Sequence, residues 1–198
     1  MTTHDDYFAY LQSRSRLGQI YRKYWLYPRL TKCLRGRALD IGCGIGDMLS
    51  FRSGTVGTDI SARTVDYCNA RGLDARLMTL DVLPFQDGEF DSVLLDNVLE
   101  HLQDPRALLA DIRRVLKIGG VLLVGVPGAK GWSTDPDHKE HYDENRLIAC
   151  LRNARFEHAK SFVTPLWRSD FLSQRIRQYC IYGQFLNTDG GQQQRDAK

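Results

Sequence analysis

Apolar and polar positions alternate with two different periods along this chain, and the change of period marks the elements. Phe8, Leu11, Leu17, Ile20, Tyr21, Tyr24 and Trp25 fall near helical spacing, with Arg14, Arg16, Arg22 and Lys23 between them. The spacing predicts an amphipathic helix that stops before Pro28, because a proline disfavours helical geometry at the residue preceding it. Short apolar runs follow: Arg37–Ile41, Thr55–Asp59, Ala75–Leu80, Asp91–Asp96 and Val121–Val126. Helical stretches separate them: a brief one at Asp47–Ser50, one capped by Ser61 and running to Arg71, and one from Pro105 to Lys117. A helix from Asp143 to Asn153, a strand from Phe156 to Val163, a basic helix near 168–177 and a strand from Tyr179 to Leu186 complete the pattern.

Strands alternating with helices, the strands apolar on both faces, predict a parallel sheet covered on both sides. The expected fold class is therefore α/β, a doubly wound and mostly parallel seven-stranded sheet with a late antiparallel hairpin. One domain over residues 1–186 accounts for it: an N-terminal helical lid at 1–35, a core at 36–127, and a region at 128–186 that ends in the last two strands. The polar stretch 187–198 reads as a flexible tail with nothing to bury.

Composition narrows the class. A length of 198 residues with 42% hydrophobic and 26% charged content suits one globular domain and excludes a disordered or fibrous chain. No apolar run approaches the roughly 18 residues of a membrane helix, and the start lacks the pattern of a secretory signal. Cys33, Cys43, Cys68, Cys150 and Cys180 form no Cys-x-x-Cys pair, which reads as reduced thiols in a cytoplasmic protein. The net charge of +3 divides unevenly: residues 1–37 carry +6, residues 38–144 carry −8 and residues 145–198 carry +5. An acidic middle suits a cationic ligand, and basic ends suit an anionic one.

The chemistry-bearing stretch is Asp40-Ile41-Gly42-Cys43-Gly44-Ile45-Gly46-Asp47, between a strand and a helix. Glycines there let the backbone approach a ligand closely. A triphosphate loop would need a lysine that this stretch lacks. A dinucleotide fingerprint would need glycine where Asp47 stands, and Asp40 would repel a pyrophosphate. A cationic or zwitterionic ligand meets no such objection.

This motif resembles the first motif of class I S-adenosylmethionine-dependent methyltransferases. Further segments resemble that family's later motifs in order, over residues 36–127. These are Asp59 at the end of the second strand, Asp81 in Leu80-Asp81-Val82, the run Phe90–Leu102, and Leu116–Val124. The resemblance implies a Rossmann-like methyltransferase fold and S-adenosylmethionine as cofactor. It places Asp40, Gly42, Cys43, Gly44 and Gly46 at that cofactor, Asp59 on its ribose hydroxyls and Asp81 at its adenine amino group, with Ile60, Val82 and Asn97 as further cofactor-binding residues. Acceptor candidates above the fourth and fifth strands are Asp96, Asn97, His101, His138 and His141. His141 and His101 are the expected catalytic bases, and Tyr21 and Tyr142 the expected acceptor-side residues. The loop His138–His141 with Asp135, Asp137 and Glu140 has irregular ligand spacing, so no metal is expected. No Asn/Asp-Pro-Pro-Tyr/Phe follows the fourth strand, which argues against methylation of base amines. The expected reaction is methyl transfer to oxygen of a small-molecule, lipid or glycan acceptor, anionic if the basic lid meets it. Two alternatives stay open: a nucleic-acid methyltransferase, for which no recognisable binding module is present, and a non-catalytic cofactor-binding protein.

Overall fold

The computed structural model describes Phe8, Leu11 and residues 15–188. Arg14 and the segment 189–198 lie outside the described residues. One seven-stranded sheet runs through it in the order β3-β2-β1-β4-β5-β7-β6. The strands are β1 (Ala38–Ile41), β2 (Thr55–Asp59), β3 (Ala75–Leu77), β4 (Phe90–Asp96), β5 (Leu116–Pro127), β6 (Phe156–Thr164) and β7 (Cys180–Asn187). β1 to β5 pair in parallel, whereas β7 is antiparallel to both β5 and β6. The late hairpin is thus present, with its second strand inserted next to the parallel part.

Both faces are covered. Leu108, Leu109, Ile112 and Val115 of α5 (Arg106–Val115) pack with Leu39, Val93, Leu95, Leu122 and Val124 on one side. Leu26, Tyr27, Leu30 and Leu34 pack with Leu94, Leu123 and Tyr182 on the other. The remaining helices are α1 (Arg16–Tyr21), α2 (Tyr27–Thr31), α3 (Asp47–Phe51), α4 (Ala62–Ala70), α6 (Ala129–Trp132), α7 (Glu144–Asn153) and α8 (Asp170–Arg175). Four side-chain caps hold helix starts among the described residues: Ser61, the cap read from the sequence, accepts from the Thr64 N–H, Ser15 from Gly18, Asp143 from Arg146 and Ser169 from Leu172.

The N-terminal helix does not stop before Pro28. A π-helical turn at Arg22–Leu26 resets the hydrogen-bond ladder, and Pro28 then falls in the first turn of α2, where its missing N–H leaves no bond unmade. β3 ends at Leu77 rather than Leu80. The Met78 N–H makes the last bond to β2, to the Asp59 carbonyl (3.0 Å), and the Met78 side chain enters the core. α5 gives way to β5 already at Leu116, and Gly119 takes a left-handed φ of +75° in the strand's irregular first part. Asn187 closes β7, and its buried amide donates to the Leu116 carbonyl at 2.7 Å.

The strand order reverses between β1 and β4. In such a sheet the crevice for a ligand opens beyond the carboxyl ends of the strands at that point. The loops after β1, β2, β4 and β5 meet there.

Candidate active site

The loop after β1 is built on the end of β2. Gly42 and Cys43 both donate to the Thr58 carbonyl, at 2.8 and 2.9 Å. Gly44 donates to Asp59 Oδ2 and Ser61 to Asp59 Oδ1, each at 2.9 Å. One buried carboxylate therefore holds the middle of the glycine loop and the entry to α4 together. Gly42 and Gly44 adopt φ of +73° and +52°, where a side chain is strained. A Cβ on Gly42 would also stand 2.6 Å from Val98, and one on Gly44 2.9 Å from Leu11. Leu11 thus brings the N-terminal segment down over the loop.

A cleft of about 420 Å³ opens beside the loop. Asp40, Gly42, Cys43, Gly44, Asp47 and Asp96 line one part of it, and Ser15, Gly18, Tyr21 and Arg22 form a wall from the first helix. Asp40 is buried. Burial, then the nearby carboxylates of Asp96 and Asp59, push its carboxyl well above the usual carboxylate range. Such a group gains from a cation brought into the cleft, and repels an anion. A glycine cradle that no side chain could share, set against clustered carboxylates, fits a zwitterion bearing a sulfonium and an ammonium. Asp40, Gly42 and Gly44 line this end of the cleft and would hold it, on a loop that Asp59 fastens to β2. The Cys43 thiol, hydrogen-bonded with Cys68 and buried, is held protonated.

The loops after β4 and β5 form the other end of the cleft. Tyr182 on β7 donates to Asp96 Oδ1 at 2.8 Å, across the space left by Gly125, where a Cβ would meet the Tyr182 ring at 2.4 Å. Asn97 takes a left-handed φ of +55° and donates to Asp96 Oδ1 at 2.9 Å. The short helical turn Leu99–His101 then carries Glu100 and His101 into the cleft, and the loop after α6 brings His138 against them. The His101 and His138 rings meet edge to face at 4.6 Å between centroids. Glu100 is fully buried, and burial, followed by Asp96 and Asp135, pushes its carboxyl up to about 8. Burial and the adjacent His138 hold His101 below the ordinary imidazole range. The ring Nδ1 of His138 stands 2.8 Å from the Trp132 carbonyl, which can only accept, so Nδ1 carries the proton and Nε2 faces Glu100.

The sequence-named residues separate into two groups. Asp40, Gly42, Cys43, Gly44, Asn97, His101 and Tyr21 line the cleft. Gly46 lies behind the loop against Leu73 and Cys68. Ile60 and Val82 are exposed, as is Asp81, beyond the ends of β2 and β3. His141 does not line the cleft and packs edge to face on Trp132, at 5.4 Å between centroids. Tyr142 is buried in the core with Leu147 and Leu151. Tyr24 and Trp25, next to Tyr21 on the first helical segment, turn outward, Trp25 donating to the Pro165 carbonyl at 2.8 Å. Glu100 is the residue that sequence reading did not single out. Its signal is a carboxylate inside the otherwise apolar run Val98–Leu102.

Comparison with known proteins agrees with this geometry. Residues 39–124 match the family model described as a methyltransferase domain. The chain is 35% identical over 144 residues to the uncharacterized protein MJ1123 of Methanocaldococcus jannaschii, covering 73% of this chain and 68% of that protein. It is 34% identical over 164 residues to a ubiquinone biosynthesis O-methyltransferase of Xanthomonas oryzae pv. oryzae, covering 67% of this chain and 68% of the relative. The fold superposes with a TM-score of 0.72 on a SAM-dependent methyltransferase of Thermotoga maritima, a possible histamine N-methyltransferase, at 20% identity and over 92% and 98% of the two chains. The chain belongs to the class I S-adenosylmethionine-dependent methyltransferases. It is an enzyme of that class, and S-adenosylmethionine is its cofactor.

Two expectations follow. Replacing Asp59 by Ala leaves the Gly44 and Ser61 N–H groups without their acceptor as well as removing the carboxylate. Cofactor affinity measured by calorimetry falls by about 1.5–3 kcal/mol, the range for hydrogen bonds to a charged group, and the melting temperature falls with it; unchanged affinity would remove Asp59 from the site. Glu100 gives a pH signature. Its carboxyl holds a proton to about pH 8 in the folded chain, whereas in the unfolded chain it ionises near pH 4.3. The folded state therefore binds the extra proton between these values, and the associated stability, complete below pH 4.3, is lost as pH rises to 8. In urea titrations from pH 5 to 9 the Glu100→Gln variant shows a shallower decline than the parent; parallel curves would contradict the buried neutral acid.

Proposed function

We propose that this methyltransferase acts on a hydroxyl oxygen of a small-molecule, lipid or glycan acceptor held at the Glu100–His101–His138 end of the cleft. One observation carries the reading: two imidazoles and a buried acid line the cleft at the β4 and β5 loops, next along the sheet from the glycine loop. When bound, S-adenosylmethionine supplies a methyl group on a sulfonium, whose sulfur leaves as a neutral thioether. The chain's task is then alignment, dehydration and removal of one proton.

Asp40 and the glycine loop fix one partner, and the imidazoles fix the other, so the reaction gains from proximity in a narrow cleft. A neutral imidazole at neutral pH accepts the hydroxyl proton as the oxygen–carbon bond forms, and burial keeps His101 in that state. Tyr21 and Arg22 line the cleft on the side of the first helix. Arg22 and Arg177 are the basic side chains lining it, which supports an acceptor bearing an anionic group. The O-methyltransferase among the relatives supports oxygen as the target atom.

His101→Ala and His138→Ala are expected to lower kcat by about 10²–10⁴-fold with cofactor affinity nearly unchanged. His141→Ala, outside the cleft, keeps most of the turnover. Assays against a panel of hydroxylated acceptors with labelled cofactor provide the measurement. Full activity in both cleft variants would show that alignment alone carries the reaction.

A further inference from the structure

We propose that Glu100, His101 and His138 form a binding site for one divalent transition-metal cation, at which the acceptor oxygen is held. The sequence reading looked for ligands along the His138–His141 loop and assigned no metal. The structure instead assembles its candidate from two loops, the one after β4 and the one after β5. One donor atom from each of the three residues lies within 4.8 Å of the other two. Around a tetrahedral ion with bonds of about 2.1 Å, donors sit about 3.4 Å apart, so the three groups stand somewhat wider than a bound ion would draw them.

Three independent features mark these groups as ligands. Glu100 is fully buried, and among the described residues neither of its carboxyl oxygens has a hydrogen-bond partner. A buried carboxyl left without a partner is costly, and a cation that displaces its proton supplies one. His138 is oriented by the Trp132 carbonyl at Nδ1, which leaves the Nε2 lone pair 3.8 Å from Glu100 Oε1. That backbone carbonyl is the kind of outer partner that fixes the tautomer of metal-binding histidines. Asp135 Oδ2 stands 3.9 Å from the same Nε2, adding negative potential at the rim.

Two imidazoles and one carboxylate select the cation class. Nitrogen donors suit Zn²⁺, Mn²⁺, Fe²⁺ or Co²⁺ rather than the all-oxygen shells of Ca²⁺ and Mg²⁺. Three protein ligands leave a coordination position open, the arrangement of a reactive rather than a structural site. The cleft lies beside it, and an acceptor oxygen fills the open position. This rests on the reading of the trio as the acceptor end but replaces its proton step: with the ion bound, the imidazole lone pairs serve as ligands, and the cation, not an imidazole, favours loss of the hydroxyl proton to solvent.

The test is direct binding. The full-length protein, stripped with chelator, is titrated with Mn²⁺ followed by electron paramagnetic resonance, and with Zn²⁺ by calorimetry. One equivalent of ion binds, and Glu100→Gln and His138→Ala each weaken it by about 100-fold or more, while His158→Asn on β6 leaves it unchanged. His101→Asn provides a second, milder replacement, and circular dichroism verifies that each variant is folded. Absence of stoichiometric binding of either ion, or binding indifferent to both Glu100→Gln and His138→Ala, overturns the proposal. Titration of the same stripped protein with S-adenosylhomocysteine separates the two readings. Cofactor product that binds where no metal does overturns the metal site alone and leaves the methyltransferase reading standing.

Discussion

Two backbone N–H groups, those of Gly44 and Ser61, converge on the carboxylate of Asp59, and the ligand end of the sheet takes its shape from that convergence. The glycine loop after β1 has no regular ladder of its own. It is held by the end of β2, through Thr58 and Asp59, so the two strand ends move as one body. With the loop fixed, Gly42 and Gly44 present bare backbone to the cleft, and Leu11 closes down on it. The same carboxylate is therefore a structural clamp and a candidate ligand group, and its removal acts on both roles.

Charge divides the cleft into two ends. Asp40, Asp47 and Asp96 gather at the β1–β4 switch point, where parallel strands deliver their carboxyl ends side by side. The β4 and β5 loops carry imidazoles and the buried Glu100 instead. A cationic methyl donor finds a matching environment at the carboxylate-lined end. β7, inserted antiparallel beside β5, contributes Tyr182, which anchors Asp96 between the two ends.

Periodicity and the spacing of acidic residues made most of this architecture legible in the sequence. Apolar runs alternating with helical stretches specify a parallel sheet, and Asp40, Gly42, Gly44 and Asp59 stand at the ends of runs where a doubly wound sheet brings loops together. What periodicity cannot carry is assembly across loops. His138 and His141 are three positions apart in one acidic loop, yet of the two His138 turns into the cleft, its Nδ1 on the Trp132 carbonyl, while His141 packs edge to face on the Trp132 ring. Tyr142 follows the apolar side of α7 (Glu144–Asn153) into the core. Tyr24 and Trp25 share a helix with Tyr21, but the π-helical turn changes which faces point inward. The continuation through Pro28 has the same cause: local chemistry forbids an uninterrupted α-helix there and permits a reset one.

The central claim is that the crevice at the β1–β4 switch point holds the cofactor. Hydrogen–deuterium exchange of the full-length protein, with and without saturating S-adenosylhomocysteine, measures this most directly. The account predicts slowed exchange across residues 40–46 and 57–61, with none across the distant strand β6. Unchanged exchange at the glycine loop, in a protein shown by calorimetry to bind the ligand, would place the cofactor elsewhere and contradict it.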